Sequence, residues 1–266
     1  MSKSSHFLSL EGFDPRLKFA ARDALLHYYF AMCYSSLVEK DFEKLGSRLD
    51  AYPWDDAFHE FRSLQQLEQS LDSDQIKQIL GMKQRPRSSQ FKWLDDDGRL
   101  YPKVFAPVIV SSGGERRVEP MRFRVRPAGS RQEVPGQFNV YNAKIESLSS
   151  SPTGRLLIGQ QHALLPVKRI YEIVNKTEIG IEPADTDLLY IPLIYDQWTS
   201  IDNRMSFKSF AIITRPAPPD IIALGHARSP VILGLHQIDG WLNANDVPQS
   251  LEILAEGQVG SFRKVA

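Results

Sequence analysis

The spacing of apolar residues changes near residue 101, and this change sets the fold class. Upstream, apolar side chains recur at helical spacing. Downstream, residues 104–110 form an apolar, β-branched run, and Gly113-Gly114 makes a turn towards residues 122–126, where arginines alternate with apolar side chains. We find no internal repeat and no low-complexity linker, so the simplest architecture is a single α+β domain with an N-terminal helical extension.

Individual elements follow from the same spacing. Asp14-Pro15 is a helix-start signal, and the residues after it place apolar side chains on one face. Helices are predicted over residues 15–31, 38–50, 55–82 (in two pieces, divided at Asp72-Ser73-Asp74), 236–243 and 248–255. Besides the two apolar segments above, strands are predicted near residues 32–36, 162–166, 169–175, 188–195 and 206–214.

Charge is balanced overall but uneven locally. The chain has 32 basic and 32 acidic residues, whereas proteins that bind nucleic acids usually carry a basic excess. Two basic clusters are nevertheless present: Lys83, Arg85 and Arg87 form one, and Arg116, Arg117, Arg122, Arg124, Arg126 and Arg131 form the other. A locally basic groove is compatible with a neutral protein. Solvated strand faces and loops are an equal alternative for either cluster.

Composition narrows the class of protein. With 42% hydrophobic and 24% charged residues, the chain has ordinary globular composition. No apolar run approaches the length of a membrane span, and the first residues do not resemble a signal peptide. The single cysteine cannot form an internal disulfide, which suits a reducing cytoplasm. We therefore expect a cytoplasmic protein without a membrane segment.

Familiar cofactor motifs are absent from the sequence. It has no phosphate-binding loop, no dinucleotide fingerprint and no nucleophile elbow. One cysteine and six scattered histidines give no zinc-ligand spacing. We therefore expect neither a metal nor a cofactor.

Four short segments stand out. They are Met32-Cys33, residues 138–147 (FNVYNAKIES), residues 164–172 (LLPVKRIYE) and residues 226–233 (HARSPVIL), the last preceded by SFAIIT at 209–214. Each segment alone has an ordinary structural explanation, since a lone cysteine is commonly a small core residue. Together, and in this order, they resemble the SOS-response-associated peptidase (SRAP) family. Its pattern is an initiator Met-Cys, then Asn-Ala-Arg-x-Glu, then Leu-x-Pro-x-x-x-Phe-Tyr-Glu, then Ile-Ile-Thr followed by His-x-Arg-Met-Pro-Val-Ile-Leu.

The resemblance implies a fold and a domain arrangement. It implies one SRAP-like domain whose mixed, barrel-like β-sheet is flanked by helices. The expected arrangement is an N-terminal extension at 1–32, which is a candidate pro-segment, and the domain itself at 33–266, with a helical insertion at about 51–100.

The resemblance also implies a covalent chemistry. Family members expose cysteine as the first residue, and its amine and thiol together trap the ring-opened aldehyde of an abasic site in single-stranded DNA as a thiazolidine crosslink. An α-amino group has a reference pKa of about 7.7 to 8.0, so part of it is neutral and nucleophilic at pH 7. The thiolate then closes the ring. The implied partner is single-stranded DNA with abasic sites, and we expect a monomer associated with the nucleoid.

Matching positions carry the implied roles. Cys33 is the nucleophile, Asn142 orients the cysteine or the adduct, Glu172 shuttles protons, and His226 acts as acid and base in sugar-ring opening or in reversal. The basic residues expected to contact DNA are Lys144, Arg228, Arg122 and Arg124. Lys144 stands where the family has arginine, so it keeps the charge but loses bidentate geometry.

This sequence departs from the family pattern at the nucleophile. Thirty-two residues precede Cys33, so its amine is part of a peptide bond. Three explanations stay open: translation starts at Met32, the protein cleaves off its own extension, or the chain is a divergent member that does not crosslink. The regular helical pattern of residues 15–31 weighs against the first.

Further substitutions lie near the other motifs. Tyr34-Ser35 stands where the family has Gly-Arg, residues 121–124 (MRFR) replace Met-Arg-Trp-Gly, and Arg169 replaces a glycine. Two other functions therefore stay open. One is a non-crosslinking binding or interaction module, and the other is a cysteine hydrolase with a Cys33, His226 and Glu172 triad.

Overall fold

The computed structural model describes residues 35–135, 138, 140–174, 177–257 and 261–265. The predicted helix at 15–31, the rest of the extension at 1–32, and Cys33 lie outside the described residues. Within them, the chain forms the strands β1 (Ser35–Val38), β2 (Ala51–Pro53), β3 (Arg99–Leu100), β4 (Phe105–Ser112), β5 (Glu115–Phe123), β6 (Asn142–Lys144), β7 (His162–Val174), β8 (Thr177–Pro183), β9 (Leu189–Thr199), β10 (Ser206–Pro216), β11 (Arg228–Pro230) and β12 (Phe262–Val265).

Helices precede, interrupt and follow these strands. They are α1 (Phe42–Leu49), α2 (Asp55–Gln69), α3 (Ser73–Ile79), α4 (Gly154–Leu157), α5 (Pro219–Ala223), α6 (Ile238–Asn243) and α7 (Val247–Glu256), with 3-10 turns at Ile145–Ser147 and Leu235–Gln237. The predicted division of residues 55–82 has a clear local cause. The Asp72 carboxylate accepts the backbone amide of Gln75, and the Gln75 side chain accepts the backbone amide of Asp72, which completes a capping box at the start of α3.

Five strands close into a barrel. The order of pairing is β5, β4, β7, β9, β10 and back to β5. The pair between β10 and β5 is parallel and the other four pairs are antiparallel, so the sheet is mixed. The predicted α+β fold, with a mixed, barrel-like sheet flanked by helices, is confirmed.

Alternating side chains of the barrel strands fill two separate cores. One core is inside the barrel and takes side chains from all five strands, among them Val108, Met121, Leu165, Ile191 and Phe210. The intervening residues pack outside the barrel against the α1, α6 and α7 helices. Because both faces are buried, β4, β9 and β10 have apolar runs in the sequence, whereas β5 buries the charged side chains of Glu119 and Arg122. The α2 and α3 helices bury their apolar faces in a third cluster, rich in phenylalanine, at one side of the barrel.

The β7 strand is a single strand of 13 residues where the sequence pattern predicted two. Its first half pairs with β9 up to Val167, and its second half pairs with β8 from Ile170 onward. The β1 strand lies along the opposite edge of the second half. The change of partner at residues 168–169, where two charged residues interrupt the apolar pattern, accounts for the predicted break. The β8 strand was not predicted, because charged residues flank its short apolar stretch.

Candidate functional site

The structure brings together two of the predicted site residues, Glu172 and His226. Glu172 lies near the end of β7, and His226 lies in the loop between α5 and β11. His226 Nε2 is 2.9 Å from Glu172 Oε2, and the two side chains are only 1% and 3% exposed. A buried imidazole and carboxylate at this distance form an acid–base pair that can hold and move one proton.

The loop that carries His226 is fixed by its own backbone. The α5 helix ends at Ala223, and Gly225 then takes a φ of +93°, a conformation that side-chain-bearing residues rarely adopt. The amide of His226 donates to Ile221 O at 3.2 Å, and the amide of Ala217 donates to Ala227 O at 3.0 Å. These bonds turn the chain back so that the imidazole meets the second half of β7.

Electrostatics favour the protonated imidazole. Burial by itself lowers the pKa of His226, but the hydrogen bond with Glu172 and the charge of that carboxylate outweigh it, so the pKa is raised above 6.5. His226 Nδ1 lies 2.6 Å from the carbonyl oxygen of Arg228. In the protonated ring, Nδ1 donates to that carbonyl and Nε2 donates to Glu172. The Glu172 carboxylate therefore favours the protonated form of His226, the form that can donate a proton.

Asn142 begins β6 and is buried. It faces Ile212 across a parallel pairing between β6 and β10. The β10 strand has β6 on one edge and β11 on the other. Thr214, near the end of β10, faces both Lys144 of β6 and Pro230 of β11. The segments that contain Asn142 and His226 therefore converge on the same end of one strand.

The two predicted DNA contacts near this end differ in their surroundings. Lys144 is exposed. The Arg228 guanidinium donates to both carboxylate oxygens of Glu146 at 2.8 and 2.9 Å and to Thr214 O at 2.9 Å. The hydrogen bonds from Arg228 hold the pKa of Glu146 below its ordinary value. Arg228 thus links β11 to the turn after β6, and Glu146 partly neutralises its charge. The Lys144 side chain is exposed to solvent.

Arg122 and Arg124 lie inside the protein. Their side chains are 2% and 4% exposed, and each is 3.1 Å from a carboxylate oxygen of Glu133, which Arg126 also approaches at 3.4 Å. Arg124 additionally donates to the carbonyl oxygens of Val134 and Pro135. These guanidinium groups belong to an internal ion-pair cluster, which corrects the expectation that Arg122 and Arg124 face DNA. The alternation of arginines in the sequence gave no sign of Glu133, because their partner comes from the loop that follows.

His162 shows the ordinary structural role of a buried histidine. Its ring stacks on Trp241 with centroids 4.1 Å apart, Nδ1 lies 3.0 Å from Trp241 O, and Nε2 accepts the amide of Gly159 at 2.9 Å. Burial lowers the pKa of His162 to about 4. The neutral ring therefore stabilises the fold, whereas His226 has a carboxylate partner that raises its pKa.

The β1 strand, which pairs with the half of β7 that carries Glu172, begins two residues after Cys33 in the sequence. Cys33 lies outside the described residues, and the first described residue is Ser35, which faces Tyr171 across the β1–β7 pairing. The Arg99 side chain, which lies in none of the four sequence motifs, contacts both Ser35 and Tyr171. No motif could have identified it, because these contacts join three strands that are distant in the sequence.

Two further observations concern the described part of the chain. No group of three or more His, Cys, Asp or Glu side chains in it is arranged to hold a metal ion. None of its helices has the length and apolar character needed to cross a membrane.

The sequence is similar to that of known proteins. The sequence model of the SOS response associated peptidase (SRAP) family matches residues 65–263. The chain is 26% identical over 154 residues to the "Abasic site processing protein YoqW" of Bacillus subtilis. The aligned region covers 56% of this chain and 67% of the relative. The protein of the same name from Bacillus phage SPbeta matches to the same extent.

Solved structures share the fold. A protein from Bacteroides thetaiotaomicron superposes with a TM-score of 0.59 at 18% identity, covering 87% of this chain and 90% of that one. A protein from Bordetella bronchiseptica also gives a TM-score of 0.59, at 19% identity, with 88% of this chain and all of that one covered. At this level of identity, the likeness concerns the fold alone.

Proposed function

This chain belongs to the SRAP family, and we propose that it captures abasic sites in single-stranded DNA through Cys33 after residues 1–32 have been removed. The relative from Bacillus subtilis is named for processing abasic sites, and this chain retains the family's Asn, Glu and His positions at Asn142, Glu172 and His226. The alternative is a module of the same fold that binds DNA or protein without forming a crosslink.

One observation carries the proposal: the buried pair of Glu172 and His226 lies beside β1, the strand that begins two residues after Cys33 in the sequence. Ser35 faces Tyr171, the residue before Glu172. Two residues of chain span about 7 Å at most, and this reach from Ser35 is compatible with a reaction of Cys33 at the pair. An imine-forming amine needs a proton donor and acceptor at that range.

The proposed reaction begins with proteolysis. Hydrolysis of the Met32–Cys33 peptide bond consumes one water and releases the extension with a new carboxylate, which leaves Cys33 with a free α-amine. The neutral amine attacks the aldehyde carbon of the opened abasic sugar and forms a carbinolamine. His226 delivers a proton to the carbinolamine hydroxyl, which leaves as water, and Glu172 accepts the proton that the nitrogen loses. The result is an imine.

Ring closure completes the crosslink. The Cys33 thiolate attacks the imine carbon, a carbon–sulfur bond forms, and the nitrogen takes up a proton, which gives a five-membered thiazolidine. In this scheme, Asn142 orients the cysteine or the adduct through its side-chain amide. Lys144 and Arg228 contact the phosphates that flank the lesion.

The test uses the full chain and single-stranded DNA with one abasic site. Intact-mass measurement of the purified protein shows whether residues 1–32 are lost. Denaturing electrophoresis without added reductant then shows a slower DNA–protein band for the processed protein. Because the chain has one cysteine, Cys33→Ser removes the thiol without leaving another to substitute for it. That variant should give no stable band.

Two DNA controls make the result specific. The same oligonucleotide without the lesion, and one whose abasic aldehyde has been reduced to an alcohol, should give no band. A processed protein that gives no band with the abasic oligonucleotide contradicts the crosslinking proposal. Non-covalent DNA binding by an unprocessed chain would instead favour the module that does not crosslink.

A further inference from the structure

Arg99 connects the start of β1 to its neighbours through three contacts. Its Nε donates a hydrogen bond to the Ser35 hydroxyl, and its terminal nitrogens donate to the two carboxylate oxygens of Glu178. Its guanidinium carbon lies 3.3 Å from the centroid of the Tyr171 ring. The Arg99 side chain is 14% exposed, whereas its partner Glu178 is 46% exposed, so water reaches the Glu178 side of these contacts. We call this group, made of Arg99, Ser35, Glu178 and Tyr171, the Arg99 clamp.

The clamp ties four strands together at the point where the described chain begins. Arg99 is on β3, Ser35 on β1, Tyr171 on β7 and Glu178 on β8. The β1 strand lies between β3 and β7, and Arg99 itself faces Leu37 of β1. Pairing with two neighbours and a side-chain anchor at the first residue together oppose fraying of this strand.

We infer that Arg99 is a positioning residue: by holding the start of β1 on β7, it fixes the point from which the chain leads back to Cys33 once the extension has been removed. This inference rests on the proposed function. Cleavage turns Cys33 into a chain terminus, and termini are poorly ordered unless they are tied down. A nucleophile that is itself the terminal residue reacts slowly if its position is not held, because rate depends steeply on the geometry of the reacting atoms.

The chemistry of the clamp calls for arginine specifically. The planar guanidinium group of arginine can bind both oxygens of Glu178 while Nε donates to Ser35, and its face stacks on the Tyr171 ring. Lysine keeps the positive charge opposite Glu178 but has one nitrogen, so it cannot bind the carboxylate in this bidentate way and reach the hydroxyl as well. Arg99→Lys therefore separates the charge of the clamp from its geometry.

The test compares Arg99→Ala with a matched arginine. Arg169 flanks the same Tyr171 ring at 5.6 Å but pairs with Glu182 instead of Ser35. The rate constant of crosslinking is measured at saturating abasic single-stranded DNA, together with the DNA concentration that gives half the maximal rate. For Arg99→Ala we expect the rate constant to fall about tenfold or more, and the half-saturating concentration to stay within about twofold. Arg99→Lys should recover only part of the rate, and Arg169→Ala should stay near the wild type.

Two results would overturn the inference. One is a wild-type rate constant in Arg99→Ala. The other is a raised half-saturating concentration with an unchanged rate constant, since that would make Arg99 a direct DNA contact. If Arg99→Ala does not fold, Ser35→Ala removes only the hydroxyl at the same contact, and a wild-type rate constant in that variant has the same meaning.

A second readout does not depend on the crosslinking chemistry. The amide of Val38 donates to Gly98 O at 3.0 Å, so hydrogen exchange at Val38 reports how firmly β1 is held to the chain before β3. We expect faster exchange there in Arg99→Ala than in Arg169→Ala. If the wild type forms no crosslink, the proposed function fails, but faster exchange still supports the clamp. Equal exchange in both variants counts against it.

Discussion

His226 Nε2 lies 2.9 Å from Glu172 Oε2 in a site where both side chains are almost completely buried. The carboxylate raises the pKa of the imidazole above 6.5 even though burial opposes this. A raised pKa in the folded state means that the pair stabilises the fold fully below pH 6.5. That contribution is lost as the pH rises through the raised value.

We predict that Glu172→Gln lowers the pKa of His226 below 6.5, because burial then acts without the opposing charge. Titration of the histidine ring signals by NMR measures this directly, and the exposed His59 on α2 provides a second ring signal in the same spectra. The same variant should slow crosslinking by about 100-fold or more. An unchanged titration midpoint for His226 would show that the pair does not set its protonation.

His162 should make the protein less stable in acid. The pKa of His162 is about 4 in the fold, against 6.5 for the unperturbed group. Since the folded value is the lower one, the stability is present above pH 6.5 and is lost as the pH falls towards 4. We expect this group to contribute a loss of about 3 kcal/mol over that interval. Urea unfolding at several pH values measures it, and His162→Gln should flatten the profile between pH 6.5 and 4.

Arg124 combines a strained backbone with a buried side chain. Its φ is +101°, in the region that favours glycine, and its guanidinium binds Glu133 and two carbonyl oxygens. Both Arg124→Ala and Arg124→Gly should destabilise the protein, but the glycine variant should be more stable than the alanine variant by about 1 kcal/mol because it relieves the strain.

The same two substitutions at Arg122 serve as the comparison for Arg124. Arg122 also binds Glu133 but belongs to the regular strand β5. There we expect the opposite order, with glycine less stable than alanine by about 0.5 to 1 kcal/mol. Thermal or urea unfolding gives all four values, and the same order at both positions would contradict the argument from strain.

Lys144 should contribute to DNA binding through charge alone. We predict that Lys144→Ala weakens binding to single-stranded DNA and lowers the slope of log affinity against log salt by about 0.7. Fluorescence anisotropy over a range of salt concentrations measures this slope. Lys83→Ala, at an exposed lysine of the first basic cluster, should leave it unchanged. An equal loss from Lys83→Ala would indicate that DNA also contacts the segment after α3.

Sequence spacing located β4, β9 and β10 because their side chains are buried on both faces. The strand predicted at residues 122–126 was misplaced, since β5 spans Glu115–Phe123. The run at residues 104–110 needed no tertiary information, and β4 begins one residue later. The same spacing missed β8, where Ile179 and Ile181 are the only apolar signal between charged ends. It also predicted two strands in place of β7, because Lys168 and Arg169 interrupt the apolar pattern where the strand changes partner.

The candidate site was predictable only as a set of residues. The four motifs identified Glu172 and His226, but no local pattern could give their 2.9 Å separation, because it depends on how the α5 loop packs on β7. Arginines at 122 and 124 appeared suited to DNA because charge is visible in a sequence and burial is not. Glu133, which neutralises them, is separated from them by a loop whose path the sequence does not reveal.

The long β7 strand also bears on how such a protein can change in evolution. Its first half closes the barrel with β9, whereas Glu172 lies in the second half, which pairs with β1 and β8. Barrel closure and the acid–base pair thus depend on different hydrogen bonds of one strand. Substitutions around the second half can therefore change the surroundings of Glu172 without breaking the pairing that closes the barrel. The scaffold and the acid–base pair are separable units of one strand, and each can be altered while the other is kept.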